Sequence, residues 1–193
     1  MEVLTGIFSA FGLSASAGLN AYIPLLTLAL LAKYTDLIRL SSPWDTLTSW
    51  WVIGALSILL LIEIFADKVP AVNHVNDILQ TFVRPVAGAI AFAASSGVVS
   101  EVHPVLAMIA GLLVAGSVHT VKAAAVRPAV TITTAGAGNV PVSIAEDVTS
   151  TIVSILAIVI PILIGLIIIT ILALVIWWLW RRANRPVPNP VKQ

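Results

Sequence analysis

Apolar residues fall into six runs, at about residues 3–18, 21–34, 50–66, 85–99, 103–121 and 148–180, with short polar stretches between them. A helix needs about 20 apolar residues to cross a bilayer. The pattern therefore predicts an all-α, polytopic membrane protein, with a single helical domain over residues 1–183 and a disordered cytoplasmic tail over 184–193. Joined end to end, the first two runs would make a helix of about 45 Å, longer than the roughly 30 Å hydrocarbon core. Gly18, Asn20 and Pro24 interrupt them, because Gly accepts positive φ, Asn caps a helix and Pro suits a first helical turn. A hairpin or a broken, re-entrant helix is expected there. Ser14, Ala17 and Gly18 share one face, which favours close helix packing. The first run lacks the basic segment of a secretory signal and is expected to be retained.

Lys33 to Ser49 is a polar connection, and Trp44, Trp50 and Trp51 place it at a membrane interface. Trp50 to Ala66 reads as a crossing that ends near Glu63, Asp67, Lys68 and Pro70. Ala71 to Arg84 has the spacing of a short amphipathic helix that lies in the interface or returns into the protein, separate from the span that begins at Pro85. Two small-residue spans, Pro85 to Val99 and Val105 to Val118, are expected to pair as a hairpin, and Arg127-Pro128 to stop the second. Ser143 and Glu146 have capping-box spacing, so a helix start is expected at Ser143, with Glu146 and Asp147 in its first turn. Val148 to Trp180 reads as one helix with a kink at Pro161, closed by Arg181 and Arg182 on the cytoplasmic side. Six crossings would return both termini to that side. The Glu63–Arg84 and His119–Asp147 regions would then share the opposite one. Two weak echoes, SASAG at 14–18 with AASSG at 93–97 and ADKVPAV at 66–72 with AAVRPAV at 124–130, suggest an internal repeat.

Composition supports the membrane reading: 59% of residues are hydrophobic and 10% charged, with a mean hydropathy of +1.06, against about 25% charged in soluble domains. A net charge of +1 and the lack of basic runs interleaved with aromatics argue against a nucleic-acid partner. The absence of cysteine excludes thiol chemistry and Cys-ligated metals. Charges at membrane depth are costly and normally face a partner or a water-filled cavity. Glu63 and Asp67 stack at i and i+4, Lys68 adjoins them, and His119 and Lys122 fall at i and i+3. His74 and Asp77 make a further pair, but without a third ligand no metal site is expected. The N–H groups near Gly136 and Gly138, beside Asn139, would suit an anion together with Lys122 and Arg127. No nucleophile–base spacing is recognisable, so neither an enzyme nor a cofactor is expected.

GLSASAGLNAYIPLL, Glu63 with ADKVP, Arg84-Pro85, His119-x-x-Lys122-Ala123, and TTAGAGNVPVS with Glu146-Asp147 together resemble the bacterial membrane-protein family catalogued as domain of unknown function 4126. The resemblance covers nearly the whole chain. Carried over position by position, it points to Glu63, Asp67, Lys68, Asp77, His119, Lys122, Asn139, Glu146 and Asp147. The chain departs from the family pattern at Asn20, where the family favours a basic residue, and in the wider Asn139-Val140-Pro141 spacing. The family implies no activity. The charges themselves suggest a small permease or channel-like transporter of an ion or small anionic solute in the cell membrane, embedded in lipid and assembled as a homo-oligomer. The alternative is a non-transporting scaffold subunit in which the same charges are structural ion pairs.

Overall fold

Small side chains set the spacing of the bundle. In a computed structural model describing residues 2–68, 70–96 and 103–183, all described secondary structure is helical. The helices are α1 (Glu2–Leu19), α2 (Tyr22–Tyr34), α3 (Trp50–Ala66), α4 (Pro70–Ser96), α5 (Pro104–Val121), α6 (Arg127–Thr134), α7 (Asn139–Val159) and α8 (Pro161–Ala183). A single π-helical turn, Lys122–Val126, joins α5 to α6, and a short 3₁₀ helix, Trp44–Thr48, precedes α3. A Cβ added at Gly88 would collide with Ala115 and Ser14, and one added at Gly111 with Gly88 and Phe92. Helices α1, α4 and α5 therefore meet backbone to backbone, as the small-residue faces predict. Ser14 Oγ donates to the Gly111 carbonyl across this contact at 2.7 Å.

Serines fasten α1 to α7. Ser9 donates to the Ala157 carbonyl at 2.7 Å, and Ser16 lies 2.7 Å from the hydroxyls of both Ser150 and Ser154. Asn20 Nδ2 reaches Asp147 Oδ1 at 3.0 Å. Rising numbers on α1 meet falling numbers on α7, so the two helices are antiparallel. Asn20 also caps α2, accepting from the N–H groups of Tyr22 and Ile23 at 3.1 Å.

Among the described residues, the 78–95 stretch of α4, the run 104–134 and α7 are long and apolar enough to cross a membrane; 4–19, 22–34 and 50–66 are shorter apolar helices. The outward surface carries large apolar side chains, including Ile58, Leu113, Ile152 and nearly all of α8 from Leu166 to Trp180. These features fit a helical membrane protein.

Several expected boundaries are corrected. The short amphipathic helix expected over 71–84 and the span expected from Pro85 are one helix: Pro85 lies inside α4, which runs unbroken from Pro70 to Ser96. In apolar surroundings a break would strand more backbone groups than the one donor that proline lacks. Arg127-Pro128 likewise opens α6 instead of ending a helix, and Ser143 sits one turn inside α7. The expected single helix 148–180 is two, broken at Ile160. Helix α8 folds back along α7, since Ile171, Leu172 and Val175 line one groove with Val142, Ala145 and Glu146. Its end thus emerges beside the turn 135–138. The start of α1, near Ala157, lies at the other end of the bundle. The two ends of the described chain are therefore on opposite sides, and the charged regions lie toward the α8 end, contrary to the topology expected from six crossings. The expected tail, 184–193, is outside the described residues.

Candidate functional site

Helix α3 ends by stacking Glu63 over Asp67, and α4 returns beside it with Asn76, Gln80 and Arg84 at four-residue intervals. That interval keeps the three polar side chains on one buried face. Arg84 NH2 binds Glu63 Oε1 at 2.9 Å and lies 3.9 Å from Asp67 Oδ2. Asp67 also accepts from Asn76 at 2.7 Å and from Ser143 at 3.0 Å.

The π turn supplies the other half. In an α-helix, residues five apart are rotated by about 140° from one another. The π turn closes a hydrogen bond from the Arg127 N–H to the Lys122 carbonyl and brings these two residues onto one side. Both cations then reach one oxygen, Glu146 Oε2, at 2.7 Å from Lys122 and 3.2 Å from Arg127. Arg127 also contacts Asp67 Oδ2 at 3.4 Å, and Lys122 donates to the Leu19 carbonyl at 3.1 Å.

The result is a continuous alternation of acid and base: Glu63, Arg84, Asp67, Arg127, Glu146, Lys122. Three acids and three bases, each less than a tenth exposed, face one another, and with all of them ionised their charges balance. Burying charge is tolerated under this condition, whereas removing one partner leaves an uncompensated ion. At the edge, the half-buried Lys68 lies 3.9 Å from Asp147. His119 lies beside the ladder, its Nδ1 3.3 Å from Arg84 NH1 and its Nε2 3.2 Å from Thr81 Oγ1. If the guanidinium donates to Nδ1, the ring is neutral and carries its proton on Nε2.

Of the residues singled out from the sequence, Glu63, Asp67, His119, Lys122 and Glu146 come together, and Lys68 and Asp147 pair next to them. Gly138 and Asn139 do not join this cluster. They sit in the turn between α6 and α7, where Ala135 and Gly136 take φ of 50° and 87°. The Gly138 N–H donates to Thr134 Oγ1 at 2.9 Å, and Asn139 pairs with Thr131. Asp77 and His74 lie on α4, but their side chains are outside the described residues. Glu146 is not a capping residue, because the helix begins seven residues earlier and Ser143 spends its hydroxyl on Asp67. Arg84, Asn76, Gln80 and Ser143 are additions to the expected set. The four-residue spacing of the first three was the available signal.

Two open apolar grooves flank the ladder on either side of α7. One, of about 610 Å³, has Lys122 and Glu146 in its wall. The other, of about 400 Å³, has Asp147. A family model described as a domain of unknown function, DUF4126, matches residues 7–182. The chain belongs to this family. Among curated proteins and among solved structures, nothing matches the chain significantly. The DUF4126 match contains every residue of the ladder, and no function accompanies the family's description.

Proposed function

We propose that this protein is a small permease of the cell membrane, moving an ion or small solute through the buried charged ladder. One observation carries the reading: six ionisable groups meet buried inside a bundle of apolar helices, where a purely structural core would be better served by apolar side chains of similar volume. Helix interruptions beside the ladder add support. The α1–α2 break and the π turn both adjoin charged side chains, and interrupted helices are a recurring feature of transporter sites. The α8 end with Arg181 and Arg182, near the end that also holds Lys68, is placed on the cytoplasmic side by the positive-inside rule.

The test is flux. Purified protein reconstituted in liposomes is exposed in turn to proton, metal-ion and organic-anion gradients. Transport abolished by Lys122→Ala or Glu146→Gln is expected for one class; no flux for any of them sinks the reading. A second reading, a scaffold subunit, is favoured by the pairing of every ladder charge with an opposite one. It predicts no flux, a co-purifying partner, and stability recovered when Lys122 and Glu146 are neutralised together.

A further inference from the structure

Where α3 meets α4, three buried polar atoms have no hydrogen-bond partner among the described residues: Glu63 Oε2, Gln80 Oε1 and Arg84 Nε. The residues are 1%, 3% and 0% exposed, so bulk solvent does not reach them. Gln80 precedes Arg84 by one helical turn, and Arg84 holds the other oxygen of Glu63. Tyr22 of α2 lies close enough to both Gln80 and Glu63 to interact with each. An ionised Glu63 offers only acceptors here, and Gln80 Oε1 is another. Buried acceptors without donors are costly, by about 1–3 kcal/mol each.

We propose that Glu63 carries a proton on Oε2, donated as an O–H to Gln80 Oε1, and that this proton is the ion the permease moves. The first half stands on the site alone, and the second rests on the permease reading. One proton answers both acceptors and leaves Oε1 free to accept from Arg84. No third carboxylate or imidazole joins Glu63 in a cluster of metal-binding type among the described residues. The charged and titratable groups around Glu63 are Arg84 from α4, Tyr22 from α2, Lys122 from the π turn and Asp67 one turn along its own helix. His119 of α5 stands beyond Arg84.

Proton binding then has a route to the rest of the ladder. Neutralising Glu63 removes the charge that holds Arg84, whose remaining carboxylate is Asp67 at 3.9 Å. Asp67 is shared with Arg127, and Arg127 with Glu146 and Lys122. Movement of Arg84 toward Asp67 loosens Arg127 and shifts the α5–α6 side relative to α3 and α4. Only the O–H bond of Glu63 forms and breaks; the proton comes from water on one side and leaves to water on the other.

Infrared difference spectra of the full-length protein in lipid, titrated across the neutral pH range, read the proton directly. A protonated-carboxyl C=O band is expected, moved by carbon-13 labelling of glutamate and not of aspartate, lost in Glu63→Gln, and shifted in Gln80→Leu, which removes the acceptor. Labelling needs no variant and narrows the band to Glu2, Glu63, Glu101 or Glu146, and the shift in Gln80→Leu then assigns it to Glu63 even where Glu63→Gln misfolds. A band-free spectrum, or a band that survives Glu63→Gln unchanged, overturns the proposal and means that Gln80 turns its amide N–H toward an ionised Glu63. Flux separates the two halves. A Glu63 band without proton flux keeps the proton site and ends its role as transported ion, while flux of another ion without the band keeps the permease and ends the proton site.

Discussion

Arg84 shows what a single residue means in this core. It is fully buried, and its guanidinium touches Glu63, approaches Asp67 and meets His119. Arg84→Met leaves Glu63 without its nearest counter-charge and is expected to cost about 3–5 kcal/mol, the usual consequence of breaking a buried pair. Adding Glu63→Leu in the same chain should recover most of it, as read by thermal unfolding in detergent. Losses that simply add in the double variant would show that the pair is not coupled. At this scale the sequence was partly legible. Glu63, Asp67, His119 and Lys122 stand out because they interrupt or border apolar runs. Arg84 was not singled out, standing at the expected end of a short helix before Pro85, and the Ser143 spacing gave Glu146 the role of a helix-start residue, because that local rule describes helix ends in water, where freed backbone groups find solvent.

Among the elements, the π turn decides the site. Deleting one of Ala123, Ala124 or Ala125 converts it toward α-helix and rotates all later residues by about 100° relative to the earlier ones. Arg127 would leave Asp67 and Glu146 while Lys122 stayed. The deletion should therefore destabilise about as much as Arg127→Met, and restoring any residue at that place should rescue it. No sequence pattern announced this turn. A run of Ala and Val is equally compatible with α-helix, and the extra residue is selected by charge pairing with α3 and α7. The small-residue faces were legible, by contrast, because close helix approach has one dominant requirement, the absence of side-chain bulk. Gly88→Val should accordingly separate α4 from α5 and cost about 1–3 kcal/mol or more, as overpacked cores do. Gly54→Ala is the matched control, since nothing lies within 4 Å of a Cβ there.

For the whole molecule, the fold-back of α8 makes a prediction about sides. The chain has no cysteine, so single cysteines report accessibility without background. Cysteines at Ala137 and Arg182 should be labelled from the same face of the membrane, and one at Ser41 from the other. Labelling of 137 and 182 from opposite faces would restore the continuous 148–180 helix and refute the fold-back. Composition and hydrophobic patterning by themselves determined that the chain is helical, apolar enough for a bilayer and packed through small residues. These are properties of local segments, and the energetics of burying apolar surface and pairing backbone groups act on each segment alone. Tertiary structure decided which charges meet, where helices continue through proline, and on which side the last helix ends. Those outcomes depend on partners distant in sequence, because a buried charge or freed carbonyl is stable only where another helix brings its complement.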